Sequence, residues 1–91
     1  MITVELPGVL RPHANAATVV LDHRCATVAD ALAALGARHP GVLDRVMDER
    51  GEIRQHVNVF VGEESIKVLG GLDAPVPEGS VITILPAVSG G

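Results

Sequence analysis

The side chains most able to do chemistry in this sequence belong to four histidines and one cysteine. No two of the histidines, His13, His23, His39 and His56, are three or four residues apart, as two metal ligands on one helix face would be. Cys25 precedes a predicted helix, where a thiol can have a lowered pKa, but the sequence has no second cysteine for a Cys-x-x-Cys pair. We therefore expect surface or turn-packing histidines, a partly buried cysteine, and neither catalytic nor metal-binding residues.

The end of the sequence is the remaining candidate for chemistry. An apolar segment is followed by a proline, three small or apolar residues and two glycines: Pro86, Ala87, Val88, Ser89, Gly90 and Gly91. Six residues can extend roughly 20 Å, and glycine has no side chain to block a narrow channel. We predict that these residues form an extended tail, which enters the active sites of partner proteins and presents the carboxylate of Gly91 there.

A free carboxylate is a poor electrophile because its negative charge repels nucleophiles. Reaction with ATP would convert the carboxylate of Gly91 to an acyl adenylate, from which a sulfur nucleophile could displace AMP and leave a thiocarboxylate. That thiocarboxylate would be a tethered nucleophile, delivered in a fixed orientation to an acceptor enzyme. A chain used in this way is a protein co-substrate and not an enzyme. The activating enzyme would use the ATP, and no cofactor is expected on this chain itself.

Length and composition favour one small folded domain. The chain has 91 residues and a mass of 9.4 kDa, and 47% of its residues are hydrophobic, which suffices for a packed core but leaves little room for a deep active site. A formal charge of −4 and a single aromatic residue, Phe60, argue against nucleic-acid binding. The single cysteine, a start unlike a signal peptide and the lack of a long apolar run indicate a cytoplasmic protein without membrane contact.

Hydrophobic periodicity predicts the elements that must position this tail. Thr27 followed by Asp30 has the spacing of a capping box and begins a helix, in which an apolar stripe runs from Val28 to Leu35 before residues 39–41 end it. A further short helical segment is expected within residues 42–47. Alternating or β-branched segments predict five strands, at residues 1–6, 17–22, 53–61, 66–69 and 81–85.

One main helix packed on one face of a five-strand mixed sheet is the economical arrangement of these elements. We expect an α+β protein with the β-grasp fold, whose last strand lies in the middle of the sheet beside the first. The short strand at residues 66–69 is expected at an edge of the sheet, because it carries Lys67. The β-grasp domain would span residues 1–85 and the tail residues 86–91.

The closing segment, Pro-Glu-Gly-Ser-Val-Ile-Thr-Ile-Leu-Pro-Ala-Val-Ser-Gly-Gly, resembles the end of the MoaD/ThiS family of ubiquitin-like sulfur carriers. Residues 10–13, 47–48 and 57–61 are similar to the CysO-type branch of that family, which serves a cysteine synthase. The resemblance implies a ubiquitin-like β-grasp fold and activation of the terminal glycine by an E1-like enzyme of the MoeB/ThiF type. It also implies a biosynthetic enzyme as sulfur acceptor: a cysteine synthase, a thiosugar synthase, or an enzyme of a molybdopterin- or thiazole-type pathway.

The alternation of the predicted strands also indicates a docking surface. If Ile82 and Ile84 face the helix, then Val81 and Leu85 face outward, and Phe60 of a neighbouring strand points the same way. We predict that Phe60 and Leu85 form an apolar patch at the rim that launches the tail, suited to protein recognition, with Val81 as a further docking residue on the same open face. The resemblance supports this prediction, because ubiquitin-like proteins dock their activating enzymes through this face.

Two other functions share parts of the pattern. A ubiquitin-like modifier would form isopeptide bonds with lysines through the same activated C-terminus, so the sequence separates it poorly from a sulfur carrier. A nucleic-acid-associated β-grasp module would need a basic stripe, and the acidic balance of the chain argues against one.

Overall fold

The computed structural model describes residues 1–22 and 24–86, within which short helices pack against a five-stranded sheet. The strands are β1 (Ile2–Glu5), β2 (Thr18–Leu21), β3 (Val57–Val61), β4 (Glu64–Ser65) and β5 (Val81–Pro86). The helices are α1 (Arg11–Ala14), α2 (Val28–Arg38), α3 (Pro40–Val46) and α4 (Ile66–Leu69). None of the helices in the described ranges is long and apolar enough to cross a membrane.

The sheet has the strand order β2-β1-β5-β3-β4, so the last strand of the chain lies in the middle. β1 and β2 form an antiparallel hairpin, β1 runs parallel to β5, and β3 runs antiparallel to β5. This topology confirms the predicted β-grasp fold with β5 beside β1. Because β5 pairs with β1 as far as Thr83 and with β3 as far as Pro86, the sheet fixes the place from which the sequence continues into the predicted tail.

The core lies between the sheet and the helices. Its centre combines alternate residues of β1 and β5 with one stripe of α2, all at most 1% exposed: Ile2, Val4, Ile82 and Ile84 from the sheet, and Val28, Ala31, Leu32 and Leu35 from the helix. The strand period of two and the helix period of 3.6 place these residues on facing surfaces. The predicted apolar stripe of the helix is therefore confirmed.

The predicted capping box begins α2. The Thr27 side-chain oxygen accepts a hydrogen bond from the Asp30 N–H, and the Asp30 carboxylate accepts one from the Thr27 N–H, both at 3.2 Å. A cap of this kind contributes about 1 kcal/mol. α3 follows α2 directly and starts earlier than predicted, since Pro40 fits the first turn of a helix, where its missing N–H costs nothing.

The edge strand predicted at residues 66–69 is wrong, because these residues form the helix α4. The Ser65 side-chain oxygen accepts a hydrogen bond from the Lys67 N–H at 3.2 Å and caps the helix, and Gly70, with φ of 114°, ends it in the left-handed region. Ile66 and Leu69, three residues apart, pack towards the core. The edge strand is β4, the two residues that precede this helix.

The strand predicted at residues 53–61 is shorter than expected. β3 begins at Val57, and Ile53 makes only an isolated bridge to Met47. The intervening residues turn instead of pairing with β5: the Val57 N–H donates to the Arg54 carbonyl at 3.0 Å, and the Arg54 N–H donates to the Val46 carbonyl at 2.9 Å. These bonds tie the start of β3 to the end of α3.

Candidate functional site

β5 carries the chain to one end of the sheet, where the predicted tail begins. Pro86, the last residue of β5, is paired with Val57, the first residue of β3. The strand therefore reaches one residue into the segment that was assigned to the tail. The rest of that segment, residues 87–91 with the predicted attachment residue Gly91, lies outside the described residues, and so its insertion into partner active sites stays a prediction.

The face of the sheet that the helices leave uncovered carries the predicted docking residues. Val81 is 37% and Leu85 43% exposed, while Phe60 is half-buried. Phe60 lies opposite Thr83, so Leu85 and Val81 are its two diagonal neighbours on β5, within the reach of an aromatic side chain. The three residues thus share one face around Thr83, whose hydroxyl donates to the Glu5 carboxylate at 3.5 Å.

The predicted position of Phe60 at the rim that launches the tail is wrong. The register places Val57 opposite Pro86 and Asn58 opposite Leu85, so Phe60 lies three residues further into the sheet. The reason is the antiparallel pairing of β3 with β5, which puts the beginning of β3, not its middle, beside the end of β5. Leu85 is therefore the member of the patch nearest to the tail root, by which we mean the end of β5 at Pro86.

A groove lies at the tail root, between the end of β5, the β1–β2 connection, α3 and the start of β3. Its volume is about 250 Å³, and Val9, Arg45, His56, Leu85 and Pro86 contribute to its walls. The side chain of Val9 is 71% exposed, because the connection between β1 and β2 forms a 3₁₀ turn that holds it out from the sheet. The groove is thus apolar at its centre and carries a guanidinium and an imidazole at its border.

The three histidines that the structure describes do not assemble into a site. His13 and His56 are exposed and His39 is half-buried, while His23 lies outside the described residues. Among the residues that the structure describes, no group of three histidine, cysteine, aspartate or glutamate side chains could hold a metal ion. His56 is set apart from the others by its position at the tail-root groove.

The thiol of Cys25 is buried at 4% exposure, more deeply than the partly buried position that was expected. Burial raises the pKa of this thiol, and the negative charge of Asp30 raises it further. Because burial, and after it Asp30, raise the pKa of this thiol, the position just before α2 does not activate the cysteine as a nucleophile.

A ubiquitin-like fold whose central last strand leads towards a Gly-Gly pair defines a class of small protein carriers. The sequence profile of the ThiS family matches residues 4–91, and the chain belongs to this family. Sulfur carriers of this family are small protein carriers and are not catalysts themselves. The predicted family is thereby confirmed.

Individual relatives include both carriers and modifiers. The sulfur carrier protein CysO of Mycobacterium tuberculosis is 36% identical over 99% of this chain and 98% of its own length. Its crystal structure has a TM-score of 0.88 at 33% identity, covering 97% of this chain and 100% of that one. A chain in the Amycolatopsis orientalis BexX/CysO complex has a TM-score of 0.87 at 36% identity, with 100% of both chains covered. Small archaeal modifier protein 1 of Haloferax volcanii has a TM-score of 0.82 at 32% identity, covering 96% of this chain and 97% of that one.

Sequence reasoning missed the groove at the tail root. Val9, Arg45 and His56 come from the β1–β2 connection, from α3 and from the turn before β3, and no periodic pattern links them. A signal for the turn existed in Pro7 and Gly8, but the position of Arg45 depends on how α3 packs beside it.

Proposed function

We propose that this chain is a sulfur carrier whose Gly91 is adenylated by an E1-like enzyme of the MoeB/ThiF type with ATP and converted to a thiocarboxylate. The observation that carries the proposal is the match of the ThiS family over residues 4–91, which includes the Gly-Gly pair. The fold adds a physical reason, since β5 lies in the middle of the sheet and its pairing with β3 extends to Pro86, at the base of the tail.

The proposed loading has two balanced steps. In the first, a carboxylate oxygen of Gly91 attacks the α-phosphorus of ATP, and pyrophosphate leaves. In the second, a sulfur nucleophile attacks the activated carbonyl carbon, a C–S bond forms, and AMP leaves with the bonding electrons. The chain itself supplies the electrophilic carbon, while the partner enzymes supply every catalytic group.

Recognition by these enzymes is assigned to two parts of the chain. Phe60, Leu85 and Val81 form the proposed docking patch, since they share the open face of the sheet and two of them are more than one-third exposed. Residues 86–91 are the segment that enters the active site of each partner. Gly90 and Gly91 suit a narrow channel because they have no side chains.

The acceptor is proposed as a sulfur-using biosynthetic enzyme in the cytoplasm: a cysteine synthase, a thiosugar synthase, or an enzyme of a molybdopterin- or thiazole-type pathway. Likeness to CysO favours the cysteine synthase. The solved BexX/CysO complex supports a stable contact between a carrier of this kind and a second protein.

Reconstitution with ATP, sulfide and the cognate activating enzyme tests the proposal. Replacement of one carboxylate oxygen by sulfur raises the intact mass of the chain by about 16 Da. A variant lacking Gly91 is the matched control, and it should fold normally and gain no mass. A wild-type chain whose mass stays unchanged would contradict the proposal.

The modifier function is the second candidate, and likeness to small archaeal modifier protein 1 favours it. With a lysine-bearing target protein added to the same reaction, the lysine amine of that protein would attack the activated carbonyl carbon of Gly91, AMP would leave, and an isopeptide bond would form. Lys67 is the only lysine of this chain, so Lys67→Arg removes self-conjugation without altering the charge. Conjugates that persist in this variant, with no 16-Da product, would favour the modifier.

A further inference from the structure

The tail-root groove combines an apolar floor with a basic border. We propose that it binds an acidic segment of the activating enzyme, with one apolar side chain of that segment in the groove and a carboxylate on the border. This inference rests on the proposed function, because it names the surface that brings Gly91 to the enzyme. It shares Leu85 with the open-face patch and extends from there to the β1–β2 connection and α3, away from Phe60 and Val81.

The apolar part of the groove is open to a partner. Val9 is 71% exposed, and Leu85 and Pro86 add further apolar surface to the groove walls beside it. The 3₁₀ turn at Gly8–Leu10 holds the side chain of Val9 out into solvent, whereas Leu10 of the same turn is buried in the core. A partner side chain placed here would bury its own apolar surface and that of Val9.

The two arginines at the basic border are held in place by backbone carbonyls and not by carboxylates of the described residues. Arg45 donates to the Gly41 carbonyl at 2.9 Å, and Arg54 donates to the Asp44 carbonyl at 3.0 Å. Arg45, Arg54 and His56 meet, together with Asp44, in a shallow depression beside the groove. Within the described ranges, neither arginine lies within ion-pair distance of a carboxylate, so two preoriented guanidinium groups remain available to one.

The charge of the whole chain makes this border distinctive. The formal net charge is −4, so an arginine of this chain is expected to lie beside a carboxylate. Arg50 does so, with Asp48 at 3.2 Å and Glu52 at 3.3 Å. A local positive border on an acidic protein attracts an acidic surface and repels a basic one, which favours one docking orientation. The border lies at the tail root, so that orientation also directs the tail towards the bound segment.

Two matched pairs of variants test the inference with the cognate activating enzyme. Val9→Asp is paired with Val68→Asp, since the two valines are 71% and 74% exposed but Val68 lies on α4, outside the groove. Arg45→Glu is paired with Lys67→Glu, which makes the same change of charge on α4. Initial rates of AMP formation are measured against carrier concentration.

We expect the KM for the carrier to rise about tenfold or more in Val9→Asp and Arg45→Glu, with kcat little changed, and to stay near the wild-type value in the two controls. Salt at about 0.5 M should reduce the difference in KM between Arg45→Glu and wild type, because it screens the charge interaction. Arg45→Gln keeps a donor for the Gly41 carbonyl, so a raised KM in this variant, with a normal melting temperature, separates loss of charge from loss of fold.

Three results would overturn the inference. If wild type is adenylated and both groove variants match their controls, the groove assignment fails while the proposed function stands. If Val9→Asp alone raises KM and salt has no effect, the partner segment is not acidic. If wild type is never adenylated, the proposed function fails and this inference fails with it.

Discussion

The two faces of β5 carry similar apolar side chains, but those on one face are buried in the core and those on the other are exposed. Ile82 and Ile84 face the helices and are at most 1% exposed, whereas Val81 and Leu85 face outward and are 37% and 43% exposed. Their hydrophobicity is nearly the same, so the sequence of the strand does not by itself distinguish residues that hold the fold from residues that contact a partner. The sheet makes that distinction, because only one of its faces is covered.

The largest expected effect is a difference in the free energy of unfolding between alanine variants of Ile84 and Leu85. These neighbouring side chains have the same size but lie on opposite faces of β5. Ile84→Ala should lower the free energy of unfolding by about 2–5 kcal/mol, because it opens a cavity in the core. Leu85→Ala should lower it by less than about 1 kcal/mol, since this side chain keeps much of its contact with water. Urea denaturation measures both. Equal losses in the two variants would contradict the separation between the faces of β5.

A smaller effect is expected when the outer face is altered. Phe60→Asp combined with Leu85→Asp should raise the KM of adenylation about tenfold while the domain stays folded, because it places charge in the docking patch. Val20→Asp is the control, since Val20 lies on the edge strand β2 and is 39% exposed. If the double variant is adenylated with the same kinetics as the control, the patch does not dock the activating enzyme. The description of the fold would still stand.

The smallest effect is expected in the turn at residues 48–52, away from both faces of β5. The Glu52 N–H donates to Asp48, with the N–H and guanidinium of Arg50 beside it, and together they lower the pKa of this carboxyl from its ordinary 3.8. Because the folded-state pKa is lower than the unfolded one, the stabilisation is present above pH 3.8 and is lost as pH falls through the folded value.

Asp48→Asn should therefore lower the melting temperature slightly at neutral pH and lose that difference at strongly acidic pH. Thermal melts of both proteins across this range measure it, with Glu49→Gln in the same turn as the control. A difference that is unchanged at low pH would show that the carboxylate charge of Asp48 plays no part.

The sequence predicted the central elements well because their patterns are long or specific. The alternation of β1, the capping box of Thr27 and Asp30, and the last strand were all confirmed, and they are enough to define the fold. Each of them depends on interactions between residues close in sequence or on one buried face.

The failures have local physical causes. A short, mostly apolar run such as residues 66–69 fits a strand and a helical turn equally well. The side-chain cap by Ser65 and the left-handed conformation of Gly70 stabilise the helical turn here. The start of β3 was set by hydrogen bonds from Arg54 and Val57 to the end of α3 and within the turn, which periodicity does not report. The tail-root groove needed three elements to pack together and had no sequence pattern at all.

The central claim is that sulfur is carried at the carbonyl carbon of Gly91, and Cys25 allows a direct measurement. It is the only cysteine of the chain, so Cys25→Ala removes every thiol while leaving a small apolar residue in the core. This variant, loaded with ATP, sulfide and the activating enzyme and then treated with iodoacetamide, should be alkylated once, at the Gly91 thiocarboxylate, as located by tandem mass spectrometry. A chain that is adenylated but never alkylated at Gly91 would contradict the account.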